Sequence, residues 1–141
     1  MNSGEHITYD KLLIATGSNV IKPDIPGVNA NGVHFVRTNN DQKSIKEKAA
    51  SAKQIVVVGG SFIGSEAASC IASKEKEVHL ICGSEFPLEK VLGKEVGKMM
   101  LEEHKSNGIK VHQNAKAVSI QTCPEGNVRS ITLSDGSVIE C

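Results

Sequence analysis

The 141-residue chain has few aromatic residues and no excess of charge of either sign. It has no tryptophan, one tyrosine and three phenylalanines, and its 16 Lys+Arg residues balance its 16 Asp+Glu residues. Binding to nucleic acid or to anionic membranes depends on clustered basic residues, so we expect neither kind of partner. The longest apolar runs, such as residues 55–58, fall far short of the roughly 20 residues that cross a bilayer, so no membrane span is predicted.

Metal-binding and redox cysteine patterns are also missing. The four cysteines form no Cys-x-x-Cys pair, and no acidic residue stands at ligand spacing from a histidine. We therefore predict reduced thiols, no metal site and no catalytic residue within the chain. No Gly-x-Ser-x-Gly motif supports a hydrolase. The polar first residues show no targeting peptide, so an intracellular protein, cytoplasmic or mitochondrial, is expected unless a targeting segment lies outside this chain.

Periodicity predicts an α/β fold: a Rossmann-like parallel sheet flanked by helices, with an appended antiparallel β-meander. Asn19 to Asn31 contains two prolines and is predicted to be a linker. The strands predicted before the meander are residues 11–15, 33–36, 54–58, 77–81 and 109–112. The predicted helices are residues 38–52, 61–73 and 94–106. The predicted meander strands are residues 115–121, 128–133 and 137–139.

Two of these elements carry more detailed predictions. Thr38 and Asp41 have the spacing of a capping box, and the helix that they begin is expected to bury Ile45 and Ala49. Within the predicted strand at residues 54–58, residues 55–58 are β-branched and apolar on both faces, which predicts a central strand of the parallel sheet.

The segment most typical of ligand binding joins the predicted strand at residues 54–58 to the next predicted helix. A dinucleotide-binding turn uses a first glycine for the tight bend, a second for close approach of the pyrophosphate and a third for close packing of helix and strand. Gly59 and Gly64 occupy the first and third positions, and Ser61 occupies the second. The same glycines could serve packing alone, without any ligand.

The residue that reads the adenosine ribose usually stands at the end of the second strand, as an acid for NAD or an arginine for NADP. Here that position is Cys82, which can be a small apolar filler or a reactive thiol. Glu85, in the following loop, could reach a ribose or be a solvated acid. The choice between NADH and NADPH therefore stays open.

Four ordered segments of the chain together form a more specific pattern than the glycine turn alone. They are Tyr9-Asp10-Lys11-Leu12-Leu13-Ile14-Ala15-Thr16-Gly17-Ser18, Ile25-Pro26-Gly27, Val57-Val58-Gly59-Gly60-Ser61-Phe62-Ile63-Gly64-Ser65-Glu66 and Val91-Leu92-Gly93. With these segments, the chain resembles the FAD-dependent pyridine nucleotide-disulfide oxidoreductase superfamily. Within it, the resemblance is greatest to the NAD(P)H:ferredoxin or rubredoxin reductases and to apoptosis-inducing-factor-like proteins.

The resemblance implies a set of cofactor-binding residues. The glycine turn would line the NAD(P)H pyrophosphate, Glu66 would lie at the nicotinamide end, and residues 15–17 would approach FAD. The predicted set is Gly59, Gly60, Ser61, Phe62, Ile63, Gly64, Glu66, Cys82, Ala15, Thr16 and Gly17.

The resemblance also implies an activity and a domain organisation. NAD or NADP would deliver a hydride to FAD, and electrons would pass to an iron–sulfur protein such as a ferredoxin, or to another acceptor. Residues 1–28 would be the tail of an FAD-binding domain and a linker, and residues 29–141 an NAD(P)-binding domain without its closing strand. The first glycine motif for FAD and the redox cysteine pair are not in this chain, so we expect it to be inactive alone and to self-associate through an unpaired sheet edge.

The sequence leaves two alternatives to this interpretation. A non-enzymatic Rossmann-like interaction or sensing module that has lost dinucleotide binding is favoured by Ser61 and Cys82. A methyltransferase is disfavoured by the meander. His79 and His104 are interpreted as structural residues without a partner carboxylate, and the lysine-rich stretch at residues 43–53 as a solvated helix face rather than a dock for an acidic redox protein.

Overall fold

A computed structural model of the chain describes residues 2–73 and 75–141. In chain order, the helices and strands over these residues are α1 (Asn39–Ser51), β1 (Gln54–Val58), α2 (Phe62–Ile71), β2 (Glu77–Ile81), α3 (Glu89–Ser106), β3 (Ile109–His112), β4 (Ala117–Thr122), β5 (Val128–Leu133) and β6 (Val138–Glu140).

The first three strands form a parallel sheet in the order β1-β2-β3. The prediction that residues 54–58 form the central strand is therefore wrong, because β2 lies between its two neighbours while β1 pairs on one side only within the described residues. None of the β1 side chains is fully buried, and Val58 is 57% exposed. The β-branched run correctly indicated a strand, but it carries no information about neighbours in the hydrogen-bonding direction.

The side chains of β2 alternate between two cores, as the period of a strand requires. Val78 and Leu80 pack with Ala68 of α2 and Ile109 of β3 in a core under the helices. Ile81, on the opposite face, belongs to a second core.

That second core is shared with the meander. Strands β4, β5 and β6 form a separate antiparallel sheet in chain order, which confirms the predicted meander. The limits of β5 are as predicted, and those of β4 and β6 are shifted by one or two residues. Its core members are Ile81, Ala115, Ile131, Leu133 and Ile139. The linker joins this sheet as well, since the Ile120 amide donates to the Pro26 carbonyl at 2.8 Å.

The predicted strands at residues 11–15 and 33–36 are wrong for the described structure. Both segments are irregular, and Leu13 and Ile14 are 87% and 75% exposed. A buried strand needs hydrogen-bond partners on a neighbouring strand. No such strand lies beside either segment within the described residues.

Helices α1 and α3 depart from prediction in different ways. The capping box of α1 is confirmed, because the Asp41 amide donates to Thr38 Oγ1 and the Thr38 amide donates to Asp41 Oδ2 at 2.7 Å. Ile45 and Ala49 are only half-buried, so the predicted burial is wrong.

Helix α3 begins at Glu89 rather than residue 94, and a kink at Gly93 with φ of 83° explains the late predicted start. Its end at Ser106 is as predicted. No helix in the described part of the chain is both long and apolar enough to cross a membrane.

Candidate functional site

The turn between β1 and α2 has the backbone geometry of a tight strand-to-helix junction. Strand β1 ends at Val58, and Gly59 follows with φ of 117°, a conformation that side-chain-bearing residues rarely adopt. The Gly59 amide donates to the Ile81 carbonyl at 2.9 Å, which ties the start of the turn to the end of β2.

Gly64 permits a close approach of helix and turn. A Cβ atom built on Gly64 would lie 1.7 Å from the Gly59 carbonyl oxygen, so only glycine fits at this position. The first and third glycines therefore act together, one by its backbone conformation and the other by the space that it leaves.

The first turn of α2 presents unpaired backbone donors. The first amide that bonds within the helix is that of Ser65, which donates to the Ser61 carbonyl at 2.9 Å. The preceding amides of Phe62, Ile63 and Gly64 form no hydrogen bond to any described residue, and the Ser61 side chain does not cap the helix. Such unpaired N–H groups at the positive end of a helix attract anions, phosphates above all.

Cys82 lies directly beneath this turn. Its side chain is 1% exposed, and a Cβ atom on Gly60 would come within 2.5 Å of its Sγ. The Sγ also lies 3.4 Å from Ser84 Oγ. The end of β2 thus supports the glycine turn by packing, and Gly60 is the residue that makes room for the thiol.

The loop after β2 makes a second contact with the turn, one that the sequence did not indicate. Leu88, in a left-handed conformation with φ of 59°, donates its amide to the Gly60 carbonyl at 2.7 Å. In the same loop, Glu85 pairs with Lys94 at 3.1 Å, and this hydrogen bond raises the pKa of Lys94. Glu85 is exposed and already has a cationic partner.

An apolar groove of about 370 Å³ runs beside the turn, between α2 and α3. Exposed Glu66 stands at its edge, and the buried Ser65 Oγ has no hydrogen-bond partner in the described residues. The residues that line the groove are Phe62, Ser65, Glu66, Ser69, Cys70, Leu88 and Met100.

The predicted site residues thus fall into two groups. Residues 59–66 and Cys82 lie together around the turn. Ala15, Thr16 and Gly17 lie in the exposed amino-terminal segment, where the neighbouring Ser18 carbonyl accepts a hydrogen bond from Arg37 Nε at 3.0 Å. No hydrogen bond within residues 2–73 and 75–141 joins them to the glycine turn. Over the same residues, no cluster of three or more His, Cys, Asp or Glu side chains could hold a metal ion.

Comparison with known proteins gives this turn its family context. The family model described as pyridine nucleotide-disulphide oxidoreductase matches residues 1–141. The chain belongs to this family. Its members are NAD(P)H-dependent flavoprotein oxidoreductases, so the predicted superfamily and cofactor classes are confirmed at the level of the family.

Individual relatives agree with this membership. The chain is 31% identical over 137 residues to the 5,5'-dehydrodivanillate O-demethylase ferredoxin reductase subunit of a Sphingobium species, covering 97% of this chain and 33% of that protein. It is 29% identical over 140 residues to the chloroplastic/mitochondrial monodehydroascorbate reductase of Arabidopsis thaliana, covering 99% of this chain and 28% of that protein. The chain therefore spans about a third or less of the length of these relatives.

A solved structure confirms the predicted fold class. The crystal structure of a ferredoxin reductase from Rhodopseudomonas palustris superposes with a TM-score of 0.89 at 28% identity. The superposition covers 99% of this chain and 34% of that one. The parallel sheet with its helices and the separate meander therefore form a known arrangement in this family.

Proposed function

We propose that the chain is the NAD(P)H-binding portion of a flavoprotein oxidoreductase that passes a hydride from NAD(P)H to FAD and electrons on to a ferredoxin-like acceptor. The observation that carries this proposal is the glycine turn with three unpaired amides at the start of α2. Relatives named as ferredoxin reductases support the acceptor class.

The residues around the turn fit a dinucleotide pyrophosphate. Gly59 and Gly64 shape the backbone so that the amides of Phe62, Ile63 and Gly64 are free to donate, and a pyrophosphate supplies the negative charge that these donors favour. Ser61 is exposed at the start of the helix. A bound nicotinamide would supply the hydride, and the work of this chain would be to bind and orient the dinucleotide.

The domain organisation that we propose assigns residues 1–28 to the end of a flavin domain and a linker, and residues 29–141 to the NAD(P)-binding domain. Within the described part of residues 1–28, Ala15, Thr16 and Gly17 are exposed. A flavin ring would find no site on these residues alone. We therefore do not expect this chain by itself to hold FAD.

A proline substitution tests the role of the amides directly. Phe62→Pro removes one N–H at the first helical position, where proline is well tolerated, and Ser61 already has the extended conformation that a following proline requires, with ψ of −169°. Phe62→Ala is the matched control because it removes the ring and keeps the amide.

We expect Phe62→Pro to bind ADP-ribose about tenfold more weakly than Phe62→Ala in isothermal titration calorimetry, since a hydrogen bond to a charged group contributes about 1.5 kcal/mol. Equal affinities of the two variants would contradict the role of the amide. If the wild-type chain bound no dinucleotide, the alternative of a non-enzymatic module would be favoured instead.

A further inference from the structure

Three polar side chains, two from β2 and one from β3, form a continuous line of hydrogen bonds in the parallel sheet. Glu77 Oε1 lies 2.9 Å from His79 Nε2, and His79 Nδ1 lies 2.8 Å from Nε2 of His112. Lys110 also donates to Glu77. We call this line the histidine chain (Glu77, His79 and His112). Its middle member, His79, is only 6% exposed, while Glu77 and His112 are half-buried.

The hydrogen bonds of the histidine chain determine where its protons lie. The Lys110 and His79 hydrogen bonds lower the pKa of Glu77 to about 2, so the carboxylate is ionised at neutral pH and only accepts. His79 Nε2 must therefore carry the proton that it donates. In neutral His79 the other nitrogen, Nδ1, is then an acceptor, and it takes its hydrogen bond from His112 Nε2–H.

The closed contact between the two histidine rings is compatible with one additional proton but not with two. The first can bind His112 at Nδ1, and the bond from His112 Nε2 to His79 remains. A second proton would place an N–H on both of the nitrogens that face each other across 2.8 Å, with a positive charge on each ring. Neither nitrogen could then accept, so the contact between the two rings must open.

The charged groups around the pair determine the direction of its pH response. Burial lowers the pKa of His112, as do the adjacent His79 and Lys110, while Asp135 in the β5–β6 turn raises it. Strand β1, whose Val56 is the register partner of His79, contributes no titratable side chain. Because its pKa is lowered, the His112 ring is more easily kept neutral in the folded state than in the unfolded state. The contribution of neutral His112 to the stability of the fold is therefore fully present above pH 6.5, and it is lost as the pH falls through the pKa of folded His112.

His112 is connected to the glycine turn through Cys82. The Cys82 amide donates to the His112 carbonyl at 2.8 Å, and the Cys82 carbonyl accepts from the Ala115 amide at 2.9 Å. The thiol of Cys82 in turn fills the space under Gly60. We propose that the histidine chain is an acid-sensitive latch, and that its opening displaces Cys82 and loosens the glycine turn above it.

An NMR titration of the chain between about pH 7.5 and about pH 4 tests this latch, a range that covers the change of charge of an ordinary histidine and extends below it. The first proton leaves the contact closed, so we expect the Gly60 and Cys82 amide signals to shift only with the second protonation of the pair, which the ring nitrogens of both histidines report. A wild-type chain in which both rings become protonated while both amides stay constant, or in which the amides shift with the first proton, would overturn the proposal.

Two variants sharpen the test. In His112→Gln, the side-chain amide can donate to neutral His79 and can turn its oxygen to accept from protonated His79, so the contact should stay closed and the pH-dependent shifts of Gly60 and Cys82 should be lost. His6→Gln, which removes an exposed histidine outside the latch, should leave them unchanged. Retention of the shifts in His112→Gln would refute the latch. The titration uses no dinucleotide, so its failure and the failure of the proposed function are separate results.

Discussion

Replacement of Gly64 by alanine tests the packing on which the glycine turn depends. The new Cβ would lie 1.7 Å from the Gly59 carbonyl oxygen, so helix and turn must separate by about 1.3 Å to reach the 3.0 Å minimum for such a contact. Overpacking of this kind costs about 1–3 kcal/mol, and a backbone carbonyl cannot rotate away as a side chain can. The better helix propensity of alanine offsets up to about 1 kcal/mol of this cost.

We therefore expect Gly64→Ala to lower the free energy of unfolding by about 1–2 kcal/mol in urea denaturation followed by circular dichroism. Gly83→Ala is the matched control, because Gly83 is exposed, has no positive φ, and its new Cβ would meet only the Ala115 carbonyl oxygen at 3.9 Å. That variant should stay within about 0.5 kcal/mol of wild type. A Gly64→Ala protein as stable as the Gly83→Ala control would refute the account of the turn.

Three further substitutions test the surrounding fold. Thr38→Ala removes the side-chain cap of α1 and should reduce stability by about 1 kcal/mol, with faster amide exchange in its first turn; unchanged exchange would contradict the cap. Lys76→Met keeps the apolar stem but loses the hydrogen bonds from Nζ to the last carbonyls of α1, and a loss of about 1 kcal/mol is expected in urea unfolding, whereas no loss would show that these bonds contribute nothing. Burial lowers the pKa of His104, so part of the stability is lost as the pH falls below 6.5; His104→Leu should reduce this loss between pH 7.5 and pH 5.5, and an equal loss in both proteins would argue against it.

The elements that sequence reasoning predicted well are those determined by local chemistry. The limits of β2 and β3 follow from short apolar runs between turns, and the hairpin between β5 and β6 follows from Asp135 and Gly136. The glycine turn was predicted for the same reason, because Gly59 needs a positive φ and Gly64 needs to lack a side chain, and both requirements are evident from the spacing.

The features that were missed depend on pairing between distant segments. The edge position of β1 and the exposure of residues 11–15 depend on which strands lie alongside, and no local pattern encodes that. The histidine chain required the register of β2 against β3, which brings His112 beside His79. A partial signal was present, because Glu77 and His79 are two residues apart and must share one face of a strand.

The central claim, that the turn at the start of α2 binds a dinucleotide, is tested most directly by an NMR titration of the wild-type chain with NADH, NADPH and ADP-ribose. We predict that the amide signals of residues 59–64 shift progressively with all three ligands, because each contains the pyrophosphate that the unpaired amides would bind. If none of these amides shifts at saturating ligand concentration, or if the shifts fall only on residues outside the turn, the claim is contradicted.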